Sequence, residues 1–147
     1  MSNRSASVAA WEALFRAQVA VLRQLHVEFP TGELSLNEYD VLFNLSLQPE
    51  HTTRLRDLNR HLLLTQPSIS RLVDRLVSRQ LVRKSPDPDD GRGTLVSLTP
   101  DGYDLFRRIA VHHVESIHRQ LDVLTESELT TLTALSDKLR RGVEQTE

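Results

Sequence analysis

Apolar residues recur at helical spacing from residue 7 to 28. Val8, Trp11, Phe15, Val19 and Leu22 form one stripe, and Leu14, Ala17, Val21 and Leu25 form a second beside it. Two adjacent stripes make a face too wide for a single neighbour. One side is expected against the rest of the chain and the other against a second copy. Pro30 and Gly32 end this first helix. Ser35-Leu36-Asn37-Glu38 has the form of a capping box and opens a second helix to about Leu47, with Leu36, Tyr39, Val41, Leu42, Phe43 and Leu45 available to the core. Residues 50–53 read as a polar link.

A third, short helix is expected over 54–61, burying Leu55 and Leu58. Thr65 caps a fourth, with Pro67 in its first turn, where a missing N–H costs nothing. That helix buries Ile69, Leu72, Val73 and Leu76 and displays Gln66, Ser68, Ser70, Arg71, Asp74 and Arg75. Leu81 to Lys84 alternates weakly and predicts a strand, Pro86 to Gly93 a turn-rich loop, and Thr94 to Leu98 the return strand. Thr99-Pro100 starts a fifth helix to about Leu121. A second capping box, Thr125 to Glu128, starts a sixth, which is expected to bury Leu129, Leu132, Leu135, Leu139 and Val143.

A short helix, a turn, a helix with a polar and basic face and a β-hairpin make a winged helix-turn-helix. The predicted fold is mainly α with a small β-hairpin wing, a single domain over 1–147. The winged lobe covers about 34–98, and dimerisation helices flank it over about 7–28 and 99–145. The length suffices for one real core. No run of 18 apolar residues is present, so no membrane partner is expected. Trp11, Glu12 and Arg16 interrupt the N-terminal stretch where a signal peptide would be apolar, which makes a cytoplasmic location the expectation. The chain has no cysteine, which excludes disulfides and thiol-based sensing within it.

Net charge is −2, and its distribution matters more than its value. Residues 54–92 hold nine basic and five acidic side chains, a surplus of four; the remainder holds nine basic and fifteen acidic, a deficit of six. A basic module on an acidic scaffold is the electrostatic footprint of a DNA reader, although a solvated basic face has the same composition.

The fourth helix is the candidate recognition helix. A major-groove reader needs short polar side chains near its N-terminal end and longer donors to reach guanine edges or phosphates. Gln66, Ser68, Ser70 and Arg71 fit that need, with Arg75 one turn on. Read alone, such a face is the outer side of an ordinary amphipathic helix; its place between a short helix and a hairpin favours function. Arg54, Arg75 and Lys84 are expected on phosphates. Asp90-Gly91-Arg92 puts an arginine near a hairpin tip, where it can enter a narrow minor groove, with Asp90 fixing its direction or shaping the turn. His113 and His118 are five apart and therefore on different helix faces; His112 and Glu115, three apart, could share a ligand, but surface or interface histidines are the expectation, not a metal site. No nucleophile elbow, P-loop or His-Glu-x-x-His sequence is present, and neither catalysis nor a cofactor is expected.

Three stretches carry a resemblance to a known family: LSLNEYDVLFNL, LLLTQPSISRLVDRL and PDPDDGRGTLVSLTPDG. Together they resemble the MarR family, the multiple-antibiotic-resistance type of bacterial transcriptional regulator. The third is the most specific, with an Asp two before an Arg and then Val-x-Leu-Thr-x-x-Gly. The resemblance implies a homodimer joined through its terminal helices, binding double-stranded palindromic operator DNA as a repressor and released by a small aromatic or phenolic effector. The implied effector pocket lies between dimer helices and winged lobe, with Trp11, Phe15, His26, Tyr39 and Phe43 as candidates by position; as core residues they would need no ligand. Two positions depart from the family pattern. Gln80 and Leu63 stand where similar proteins carry glycine. Two other readings stay open: a winged helix that binds protein, and a small-molecule-binding enzyme.

Overall fold

Capping residues set most of the element boundaries in the computed structural model, which describes residues 3–62 and 64–146. Leu63 lies outside the described residues. Helix α1 spans Asn3–Glu28 and α2 spans Leu36–Ser46. The Ser35 hydroxyl accepts from the Glu38 N–H at 3.1 Å, and the Glu38 carboxylate accepts from the Ser35 N–H at 2.9 Å. Thr125 and Glu128 form the same reciprocal pair at the start of α5 (Glu126–Glu144). There the Thr125 backbone N–H holds the Glu128 carboxyl below its ordinary range. Thr65 caps α3 (Gln66–Ser78), and the Thr99 hydroxyl accepts from the Gly102 N–H at 3.0 Å in the first turn of α4 (Pro100–Leu121).

The region between α2 and α3 departs from the sequence expectation. The polar link contains a left-handed turn followed by a strand. Glu50 and His51 have φ of 55° and 52°, and the His51 ring stacks on Tyr103 at 5.2 Å. β1 (Thr52–Arg54) then pairs with β3 (Asp90–Leu98), and β3 pairs with β2 (Val82–Asp87), giving the antiparallel order β1-β3-β2. Thr52 and Ser97 face each other, with their hydroxyls 2.8 Å apart. The expected third helix is a 3₁₀ helix, Leu55–His61, and Arg54 belongs to the strand before it. Arg54 offers no side-chain cap, and seven residues are too few for a settled α-helix.

The wing is tighter than its proline and glycine content suggests. Only Pro88 and Asp89 form the turn, because Asp87 still pairs with Asp90. Pro86 is tolerated because β2 is an edge strand with an irregular register at Pro86/Asp87. The end of α3 is fixed by two backbone bonds, Leu81 N–H to Leu76 C=O at 3.0 Å and Gln80 N–H to Val77 C=O at 2.9 Å. These make a Schellman ending, which places residue 80 in the left-handed region; Gln80 takes it at φ 61° without being glycine.

The chain forms two compact units. One runs from Glu28 to His113. Its centre is Leu34, Val41, Leu42, Leu45, Ile69, Val73, Leu76 and Val96, all fully buried. Phe29, Leu105, Phe106 and Ile109 join that core from outside the 34–98 stretch. Phe43, expected with them, is 40% exposed and stacks on the outer side of Tyr39 at 6.5 Å. The other unit comprises the chain before Glu28 and after His113. Here the expected burial in α5 is not found. Leu132, Leu135, Leu139 and Val143 are all exposed, since they share a helical stripe that this chain leaves uncovered. Val8, Trp11, Phe15 and Leu22 of α1 are likewise exposed, whereas Leu25 is buried.

Candidate nucleic-acid interface

Burial of Ile69, Leu72, Val73 and Leu76 leaves the opposite side of α3 to solvent. Gln66, Arg71, Asp74 and Arg75 are exposed, and Ser68 and Ser70 are half-buried. The first turn is internally bonded. Thr65 accepts from the Ser68 N–H at 3.3 Å, and the Ser68 hydroxyl accepts from Arg71 Nη2 at 3.2 Å. Gln66 Nε2 donates to the Arg56 carbonyl at 3.2 Å, which leaves its amide oxygen outward as an acceptor. The Arg75 side chain has no partner among the described residues.

Of the cations expected on phosphates, two are already paired. Lys84 donates to Asp74 across from β2 to α3. Arg54 Nε donates to Asp87 Oδ2 at 2.7 Å, and the Asp87 side chain is 2% exposed. Asp87 Oδ1 accepts from the Asp89 N–H at 3.0 Å. That backbone bond, then the Arg54 charge and hydrogen bond, hold the Asp87 carboxyl below its usual range against the opposing effect of burial. Asp90 accepts from the Arg92 N–H at 3.1 Å within the first residues of β3, so Arg92 stands on the strand beside the Pro88–Asp89 turn and not in the turn-rich loop expected for it; its exposed guanidinium makes no ion pair among the described residues. Asp87 is the residue sequence reasoning missed. One of three acids in PDPDD, it could be told from its neighbours only by a pairing with Arg54, 33 residues away.

The aromatic candidates divide between the two units. Tyr39 is a core ring, surrounded by Phe29, Phe106 and His113 at centroid distances of 5.5, 5.4 and 4.9 Å. Burial, with a contribution from Asp40, pushes its hydroxyl up to about 12. Trp11 and Phe15 pair with each other at 5.7 Å, and the exposed His26 sets Nδ1 3.0 Å from the Leu22 carbonyl oxygen. His113 is buried beside Phe29 and Tyr39, its Nδ1 without a hydrogen-bond partner. Burial lowers its pKa. His112 and His118 are exposed, and no cluster of three or more metal-ligating side chains occurs among the described residues. No helix among them is long and apolar enough to cross a membrane.

Comparison with known proteins agrees with this geometry. The model of the MarR family matches residues 33–93. The HTH-type transcriptional regulator YhbI of Bacillus subtilis is 25% identical over 149 residues, covering 97% of this chain and 96% of its own. The crystal structure of AbsC, a MarR family transcriptional regulator from Streptomyces coelicolor, superposes with a TM-score of 0.79 at 25% identity, over 99% of this chain and 97% of AbsC. BpsR of Bordetella bronchiseptica, whose DNA binding is regulated by 6-hydroxynicotinic acid, superposes with a TM-score of 0.76 at 25% identity, over 89% of this chain and 98% of BpsR.

Proposed function

We propose that the chain belongs to the MarR family, whose model matches its residues 33–93, and that it is a homodimeric transcriptional regulator, a repressor that binds a palindromic operator and is released by a small aromatic effector. The observation that carries the reading is the exposed face of α3, with Arg71 held along it by Ser68 and Arg75 unpaired among the described residues, beside a wing that presents an unpaired Arg92. Arg71, Gln66, Ser68 and Ser70 read base edges in the major groove. Arg75 and the outer part of Arg54 hold phosphates. Lys84, engaged by Asp74, contributes mainly to the orientation of β2 on α3. Arg92, near the start of β3 with its N–H bonded to Asp90, enters the adjacent minor groove.

The effector class follows BpsR, and the exposed Phe43 ring in one unit and the exposed Trp11, Phe15 and His26 in the other are separate candidate contacts; Tyr39 serves the core. No residue is assigned a catalytic role, and a cytoplasmic location belongs to the same reading because the operator is there. The basic surplus of residues 54–92 favours DNA over a protein ligand. Selection of bound duplexes from random DNA tests the proposal. The expected result is an inverted repeat with half-site centres about one helical turn, roughly 10 bp, apart. Enrichment of sites without a dyad, or of none, would refute it.

A further inference from the structure

A cleft of about 280 Å³ opens where the first turn of α3 meets the wing, lined by Arg54, Arg56, Gln66, Asp90 and Arg92 among others. The carboxylate that lines it, Asp90, and the one bonded to Arg54, Asp87, are both engaged. Asp87 accepts from the Asp89 N–H and from Arg54 Nε, and Asp90 accepts from the Arg92 N–H. Among the described residues, the Nη groups of Arg54 and the guanidinium heads of Arg56 and Arg92 carry no hydrogen bond. Three cations against two anions leave the cleft with a surplus positive charge and several open N–H donors in one concave place. Planar guanidinium forks of this kind suit the oxygens of a phosphate.

The cleft is also held in shape. Gln66 bonds the Arg56 carbonyl at 3.2 Å and ties α3 to the segment that carries Arg54 and Arg56. A Cβ on Gly93 would meet the Asp87 Cβ at 3.1 Å, so glycine there lets β3 lie close over the carboxylate that aims Arg54. We propose that this cleft seats one phosphate of the operator backbone, with Arg56 as a ligand alongside the Nη groups of Arg54, while Arg92 adds positive charge at the rim on its way into the minor groove. The inference rests on the DNA-binding reading above. Where α3 occupies a major groove and the wing the neighbouring minor groove, the strand that divides the two grooves runs between them. That strand then meets the cleft, and its phosphodiester is the only charged group it can offer.

Neutral substitution of single phosphates tests the seat. Methylphosphonates are placed one at a time along a selected operator, and binding is measured for the wild type and for Arg56→Gln. The Arg56 side chain is exposed, so the variant should keep the wild-type unfolding temperature. One position per half-site is expected to cost the wild type about tenfold in affinity while costing the variant nothing further. The variant's salt slope should also be shallower by about two units for the dimer. Losses that simply add at every position would overturn the seat and leave the DNA reading intact. So would saturation of the Arg56 side-chain NMR resonance by micromolar inorganic phosphate, which would assign the cleft to the free ion. A wild type that prefers no duplex would overturn the DNA reading itself.

Discussion

At the scale of single residues, the Thr-x-x-Gly at the start of α4 has a steric cause. The Leu81 carbonyl accepts from the Thr99 N–H at 3.1 Å, and a Cβ on Gly102 would stand 2.0 Å from that same oxygen. The first turn of α4 therefore lies directly against the residue that leads into β2. Gly102→Ala must push the helix off that carbonyl and should cost about 3 kcal/mol or more. Gly142→Ala is the matched control. Nothing lies within 4 Å of its Cβ position, and α5 should gain roughly 0.5–1 kcal/mol from the change. Urea midpoints should thus move in opposite directions, and a shared sign would refute the steric account. Gln80→Gly belongs to the same scale. A non-glycine residue at φ 61° pays for the left-handed Schellman position, and after the added freedom of the unfolded chain the variant should be more stable by about 0.5–1 kcal/mol. A loss of stability would show that the Gln80 side chain contributes contacts that outweigh the backbone strain.

At the scale of elements, the stretch of α4 within the Glu28–His113 unit is attached to that unit's core partly through a buried histidine. His113 packs edge-on against Phe29 and Tyr39, and burial lowers its pKa, so the folded state prefers the neutral ring. The unfolded chain then binds more protons once the pH falls below about 6.5. The contribution of His113 is full above that value and is lost as pH drops through it toward the folded pKa. Asp87 acts in a lower window. Its folded pKa is depressed, so its contribution is present above about 4 and lost as pH falls further. The unfolding temperature of the wild type should decline between pH 7 and pH 5, and His113→Phe should flatten that decline; an equal slope in both proteins would remove His113 as its source. The sequence discloses these features unevenly. Helix starts at Ser35, Thr65, Thr99 and Thr125 are legible because a cap depends on residues within one turn. β1 is not, because Thr52 to Arg54 become a strand only by pairing with Leu95 to Ser97. The Arg54–Asp87 pair is hidden for the same reason, and the exposure of Phe43 depends on which side of Tyr39 the core fills. The face of α3 is legible because four buried positions at helical spacing fix where the other side chains point.

At the scale of the whole molecule, the residues that no element covers are as informative as the core. Leu132, Leu135, Leu139 and Val143 on α5 are between 40% and 59% exposed, and Trp11 and Phe15 on α1 are more than half exposed. Single exposed leucines are ordinary, but a continuous stripe along one helix is a surface that a monomer rarely keeps. A second copy of the chain would bury it by two-fold symmetry, each stripe meeting its own equivalent. Sedimentation at micromolar concentration should therefore give twice 16.8 kDa. Leu139→Glu puts a charge in the middle of that stripe, which must be desolvated to dimerise. The variant should sediment near 16.8 kDa with its helical content retained, because Leu139 is 54% exposed and the chain's own fold does not depend on it. Its operator affinity should fall far more than its affinity for an isolated half-site, since a monomer loses the second, effectively intramolecular contact. A wild type near 16.8 kDa would end the dimer reading. A Leu139→Glu protein that stays dimeric would instead move the interface away from α5, leaving the exposed stripe of α1 to account for it.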